Sequence, residues 1–171
     1  MTRYAMQNPT FARIVATPSV AVRGRQLINT NELLATYPGT DGVKTGTTDL
    51  AGQCLVATVK QGGHRALVVV LGSGDRYGDA RALFGYYSEA YGWLTLQLPD
   101  SALTRVRNRE GRLRALRLGV PQEVFLPRWQ WDFVQHNLQV GYDETGEPLG
   151  LARFRVGPYV LADVPLVAAE P

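Results

Sequence analysis

Two runs, "CLVATVKQ" and "HRALVVVLG", flank the pair Gly62-Gly63, and no other feature constrains the fold as strongly. A two-residue Gly-Gly link between β-branched apolar runs is the sequence form of a β-hairpin, because the favoured turn needs positive φ at both central residues. Residues 67–71 are apolar throughout, which predicts a central strand covered on both faces. In "DRYGDARALFGYYSEAYGWL" apolar residues recur at Ala80, Leu83, Phe84, Tyr87 and Tyr91. That spacing predicts a helix packed on the sheet, with Ser73 or Asp75 as its cap. Upstream, Pro9 opens a short amphipathic helix over residues 9–16, with Phe11, Ile14 and Val15 on one face.

After "LQLPD" the texture changes. From Ser101 onward, short β-like runs alternate with the turn signals "NREG", "VPQ", "DETGEP" and "VGPY", the pattern of a small all-β unit. The expected division is therefore residues 1–98 and 99–171, with the boundary near Pro99. The fold class expected is α+β: an antiparallel sheet with packed helices, followed by a small sandwich-like β domain.

Composition adds limits rather than direction. The chain has 171 residues, 45% hydrophobic and 19% charged, which describes an ordinary globular protein. Lys and Arg outnumber Asp and Glu by 18 to 15, too small a surplus to imply a nucleic-acid partner. With Cys54 as the one cysteine, no internal disulfide forms, and two separated histidines make no zinc site. Neither metal nor cofactor is expected. No stretch approaches the roughly 20 apolar residues of a membrane span, and the first residues lack the apolar core of a signal peptide.

One segment does not fit a plain strand. "DGVKTGTTDLAGQC", residues 41–54, carries an ammonium, several hydroxyls and three glycines just before the hairpin. Glycine weakens strands unless a ligand or another backbone comes close. The ordinary alternative is an exposed edge strand, where Lys and Thr guard against edge pairing. Lys44-Thr45-Gly46 is short as a motif, but "NTNELL" precedes it and "DRYGDARALFGYY" follows. In that company the chain resembles the penicillin-binding-protein-type serine D-alanyl-D-alanine carboxypeptidases over most of residues 3–95. The tail from about residue 100 resembles the β-rich C-terminal domain that such enzymes often carry.

The resemblance implies a partial β-lactamase/transpeptidase-like domain and assigns roles. Lys44 supplies positive potential toward the substrate's terminal carboxylate and to the proton relay, and Thr45 donates a hydroxyl to that carboxylate. Gly46 lets the peptide lie alongside the strand. The backbone N–H of Thr47 is one of two donors to the oxyanion. Arg76 borders the carboxylate end, against an ordinary reading as a helix-surface arginine paired with Asp75 or Asp79. The implied partners are a peptidoglycan stem peptide ending in D-Ala-D-Ala and, once a nucleophile is supplied, β-lactams. The implied location is the cell envelope, outside the cytoplasm.

The opposite wall of such a site is missing. Three places beyond Ser19, Ser73, Ser88 and Ser101 stand Val22, Arg76, Tyr91 and Thr104, so S-x-x-K does not occur. Two places beyond stand Ala21, Asp75, Ala90 and Leu103, so S-x-N is absent too. The expectation is the C-terminal part of a carboxypeptidase, inactive alone. The alternative is a noncatalytic wall-binding or interaction module derived from that fold. A serine β-lactamase is the nearest enzyme competitor, and the β-rich tail argues for the peptidase.

Two tail features stay open at this level. Arg105, Arg107, Arg109, Arg112, Arg114 and Arg117 fall in one expected hairpin, either a basic patch for wall polymer or lipid headgroups or a solvated strand face. In "RWQWDF" the period places Trp129, Trp131 and Phe133 on one strand face, a sugar-stacking stripe or part of a sandwich core.

Overall fold

The structure is a computed structural model that describes residues 1–99 and 104–169. The chain divides into two compact units, Met1–Glu89 and Ala90–Pro171.

In the first unit a short helix α1 (Thr2–Ala5) precedes α2 (Pro9–Val15), with Pro9 at its first position. Asn8 caps α2 by accepting from the backbone N–H groups of Thr10 and Phe11 at 2.9 and 3.1 Å. An exposed hairpin of β1 (Ser19–Val22) and β2 (Arg25–Ile28) follows, then the single turn α3 (Leu33–Thr36). Three antiparallel strands make the sheet, β3 (Thr40–Thr48), β4 (Gly52–Gln61) and β5 (His64–Ser73), in the order β3-β4-β5. Gly62 and Gly63 have φ of 57° and 82°, and Gln61 faces His64, the geometry expected of the two-residue turn. Helix α4 (Arg76–Ala90) closes the unit. The Ser73 hydroxyl accepts from the Asp75 N–H at 2.8 Å and the Asp75 carboxylate accepts from the Gly78 N–H at 2.9 Å. Both expected capping residues therefore take part.

The core lies between one sheet face and the helices α3 and α4. Leu33, Leu55, Ala57, Val59, Val70, Ala80 and Phe84 are buried together. Residues directly opposite across a strand pair share a face. Thr45 pairs with Leu55 and Val43 with Ala57, so both belong to the core face, while Lys44 and Gly46, opposite Val56 and Cys54, belong to the other. Strand β5 departs from expectation. It is an edge strand among the described residues, and although Val70 is buried, Val69 and Leu71 are 51% and 74% exposed. An apolar run fits a covered strand and an uncovered one equally well, because it reports composition and not what lies across the face.

In the second unit a five-stranded antiparallel sheet packs on a two-stranded one. The two-stranded sheet pairs β6 (Tyr91–Thr95) with β9 (Glu123–Pro127). The larger has the order β10-β11-β12-β8-β7, from β7 (Arg105–Arg107), β8 (Leu113–Leu118), β10 (Gln135–Tyr142), β11 (Pro148–Val156) and β12 (Tyr159–Ala168). Phe154, Val164, Leu166, Ala152 and Leu116 from the larger sheet meet Leu96, Val124 and Leu126 in one core. Because β6 finds its partner in β9, the division between the units falls after Glu89, earlier in the chain than the boundary near Pro99. Tyr91 accordingly begins a strand instead of continuing the helix pattern. "RWQWDF" also departs from its expected strand: Arg128–Phe133 is a 3-10 helix. Trp131 packs against the core, whereas Trp129 is 69% exposed. The aromatic positions match a period of two but fall within two turns of tight helix, so no flat stripe forms and the core reading holds for Trp131 alone.

Candidate functional site

Lys44, Thr45, Gly46 and Thr47 lie in succession on β3, an edge of its sheet among the described residues. The sheet therefore leaves the outer backbone donors and acceptors of β3 without a strand partner, the condition under which an extended peptide can add alongside. Lys44 and Gly46 are exposed, and Thr45 is 8% exposed. The Lys44 ammonium bends back to donate to the Thr45 carbonyl.

The strand is braced from the core side by residues on two other segments. The hydroxyls of Thr45 and Thr30 lie 2.7 Å apart. Thr30 is held in turn by Tyr77 of α4, whose hydroxyl donates to the Thr30 carbonyl at 2.6 Å. Next to it Asn31, buried, donates to the Gly42 carbonyl at 3.0 Å and accepts from the Leu33 N–H at 3.3 Å. "NTNELL" thus clamps β3 and starts α3, a role that was invisible in the sequence because it depends on a contact fifteen residues away. The only local signal was four consecutive polar residues, 29–32, directly before the buried Leu33.

Arg76 opens α4 and reaches the same strand. Its Nη1 donates to the Gly46 carbonyl and the Thr47 hydroxyl, each at 2.9 Å, and lies 3.4 Å from the Cys54 carbonyl. Its Nε is buried with no hydrogen-bond partner, and its guanidinium stands 5.3 Å from the centre of the Tyr77 ring, within cation–π range. Arg76 is thus tied to the segment the sequence singled out. The fold brings all five residues of the expected site together: Lys44, Thr45, Gly46 and Thr47 on β3, and Arg76 against it.

Glycines in and just before β3 differ in what surrounds them. At Gly39, with φ of 83°, an added Cβ would stand 2.4 Å from the Lys60 carbonyl oxygen. At Gly42, with φ of 155°, it would stand 2.9 Å from Val15 Cγ2. Those glycines are required by turn geometry and close packing. At Gly46 a Cβ would meet nothing within 4 Å, so nothing in the described chain requires glycine there.

At the start of β3, Asp41 accepts from the Thr58 hydroxyl at 2.6 Å and from Arg65 Nη2 at 2.7 Å, with Lys60 at 3.5 Å. Burial alone would raise the Asp41 pKa, but the Thr58 hydrogen bond and Arg65, aided by Lys60, outweigh it and hold the carboxyl below its ordinary value. Cys54 is half-buried, its thiol 3.5 Å from the Ala51 carbonyl. Among the described residues, no three His, Cys, Asp or Glu side chains converge as metal ligands would. No helix there is long and apolar enough to cross a membrane. Ser101 lies outside the described residues.

Comparison with known proteins gives one consistent result. Residues 1–75 match the family model for D-alanyl-D-alanine carboxypeptidases. The chain is 28% identical over 155 residues to D-alanyl-D-alanine carboxypeptidase DacF of Bacillus subtilis, an alignment that takes in 84% of this chain and 40% of that protein. It is 44% identical over 73 residues to D-alanyl-D-alanine carboxypeptidase DacB2 of Mycobacterium tuberculosis, covering 40% of this chain and 25% of that one. Penicillin-binding protein 6B of Escherichia coli has a similar fold, with a TM-score of 0.65 at 22% identity over 97% of this chain and 47% of that chain. The chain spans less than half the length of each relative. The match over residues 1–75 takes in β3 together with Thr30 and Asn31, so the part of the chain that holds the candidate site is similar to the D-alanyl-D-alanine carboxypeptidase family.

Proposed function

We propose that this chain is part of a serine-type D-Ala-D-Ala carboxypeptidase that trims peptidoglycan stem peptides in the cell envelope, and that β3 is one wall of its active site. The observation that carries the proposal is Gly46: a glycine that the described packing does not need, on a strand edge without a strand partner, directly after a lysine and a braced threonine. In this reading the stem peptide lies along β3, and the missing Cβ leaves room for its backbone. The Thr45 hydroxyl, oriented by Thr30, donates to the terminal carboxylate. Lys44 swings from the Thr45 carbonyl toward that carboxylate, where a charge-assisted bond is about twice as strong as a neutral one. The Thr47 N–H serves the oxyanion. Arg76 contributes positive potential while its Nη1 fixes the Gly46 carbonyl and the Thr47 hydroxyl.

The nucleophile belongs to sequence outside this chain, because none of its four serines stands in S-x-x-K. The second unit would contact the envelope, through membrane or wall polymer. A labelled penicillin tests the proposal. The chain alone should form no covalent adduct, and the chain joined to the upstream segment of a similar carboxypeptidase should form one per molecule on the supplied serine. An adduct on Ser19, Ser73, Ser88 or Ser101, or none in the joined protein when it is folded, would overturn it.

A further inference from the structure

The second unit holds nine arginines and nine Asp or Glu residues, with no lysine, so it is close to neutral overall. Its charge is nevertheless segregated. On the five-stranded sheet, the face turned away from Phe154 and Leu116 carries the alternate residues of each strand. Arg107, Arg117, Arg153 and Arg155 all lie on it and are exposed. Asp163 is the one carboxylate among that face's described strand residues, and it is already held by Arg153 at 2.7 Å. Arg105, exposed and opposite Ala115, shares this face, whereas two arginines of the hairpin pair off it. Arg114 turns inward to Glu147 at 3.1 Å, and Arg112 lies 3.5 Å from Glu110 at the hairpin turn. The basic surface is thus a sheet face, assembled from both ends of the unit's sequence.

Leucines and valines share this face. Leu113 pairs across from Arg107 and is 57% exposed, and Val160 pairs across from Arg155 and is 55% exposed. Leu149, also exposed, lies in one cross-strand row with Val167 and Arg117. A soluble polyanion would reward the arginines only. Basic residues interleaved with exposed apolar ones fit a surface that offers anionic headgroups above hydrocarbon. We infer that this face docks on an anionic lipid bilayer, arginines at the phosphates and Leu113, Leu149 and Val160 against the acyl boundary. This surface does not depend on the active-site reading.

Flotation of the full chain with vesicles tests it, using phosphatidylcholine alone and a 3:1 mixture with phosphatidylglycerol, after clearing any aggregate. Binding should require phosphatidylglycerol and fall as salt rises. Each exposed arginine near such a surface strengthens partitioning roughly fivefold, so Arg117→Glu with Arg155→Glu should weaken it by at least about 25-fold. Arg13→Glu with Arg23→Glu, in the first unit, should leave binding as in the parent chain. Leu113→Ser with Leu149→Ser should weaken vesicle binding several-fold without changing retention of soluble poly(glycerol phosphate). Equal binding to both vesicles, loss equal in the two arginine pairs, or tight polymer binding with no effect of the leucine pair on vesicles would overturn the inference, the last in favour of a polymer partner. Circular dichroism confirms that each variant is folded, and the double exposed-arginine variant serves if the leucine pair is not.

Discussion

The two edges of the first unit's sheet are built from opposite materials. At β3 the edge residues are polar and held from behind by Thr30, Asn31, Tyr77 and Arg76. At β5 the edge carries Val69 and Leu71, exposed side chains that can make no hydrogen bond at all. An open edge invites pairing wherever its backbone is free. In the proposed reading the polar, braced edge is the ligand wall, while the β5 edge leaves apolar side chains uncovered among the described residues.

The largest effect that would break this comparison concerns Lys44. In the joined, active protein, Lys44→Ala should lower turnover of a D-Ala-D-Ala peptide on the order of a hundredfold or more. Thr45→Ala should cost less, since it removes a neutral donor rather than a charge. Steady-state kinetics on both variants checks the order, and wild-type turnover in Lys44→Ala would remove β3 from the catalytic reading.

Next comes backbone strain. Gly39→Ala forces a side chain into positive φ and against the Lys60 carbonyl, which should destabilise the first unit by about 1–3 kcal/mol. Denaturant unfolding reads this directly. The far edge is tested by Val69→Thr with Leu71→Ser. Because exposed apolar patches drive association, the parent chain should self-associate in light scattering and the double variant should do so less. A monodisperse parent would show that the β5 edge needs no cover.

Much of this was legible in the sequence. Gly62-Gly63 announced the β4–β5 hairpin because the dipeptide itself satisfies the turn's φ requirement. Ser73 and Asp75 announced the start of α4 because capping is a local contact. Lys44-Thr45-Gly46 stood out by placing polar residues and glycine where a strand wants neither. What stayed hidden was tertiary. The Thr30–Thr45 contact, the capture of Gly46 and Thr47 by Arg76, and the gathering of Arg153 and Arg155 beside Arg117 all join residues far apart in sequence. The aromatic run at Trp129 failed for a local reason, since six residues are too few for a period of two to exclude a tight helical turn.

The smallest effect is on acid stability. Asp41 has a folded pKa below its ordinary value of 3.8, so its contribution is fully present above that value and is lost as pH falls through the lower, folded pKa. Asp41→Asn should therefore flatten the acid limb of the stability profile below about pH 4 and reduce stability at neutral pH. An unchanged acid limb in equilibrium unfolding would show that Asp41 does not brace the start of β3.

The central claim is that Gly46 is kept for a ligand and not for the fold. Gly46→Ala, made in the joined protein, separates the two: thermal unfolding measures the fold, and the rate of acylation by a labelled penicillin measures the wall. Since a Cβ there meets nothing within 4 Å, the melting temperature should stay within a degree or two of the parent while acylation slows on the order of tenfold to a hundredfold. Unchanged acylation at unchanged stability would contradict the account, because a β3 glycine that the described packing does not need would then have no ligand to make room for.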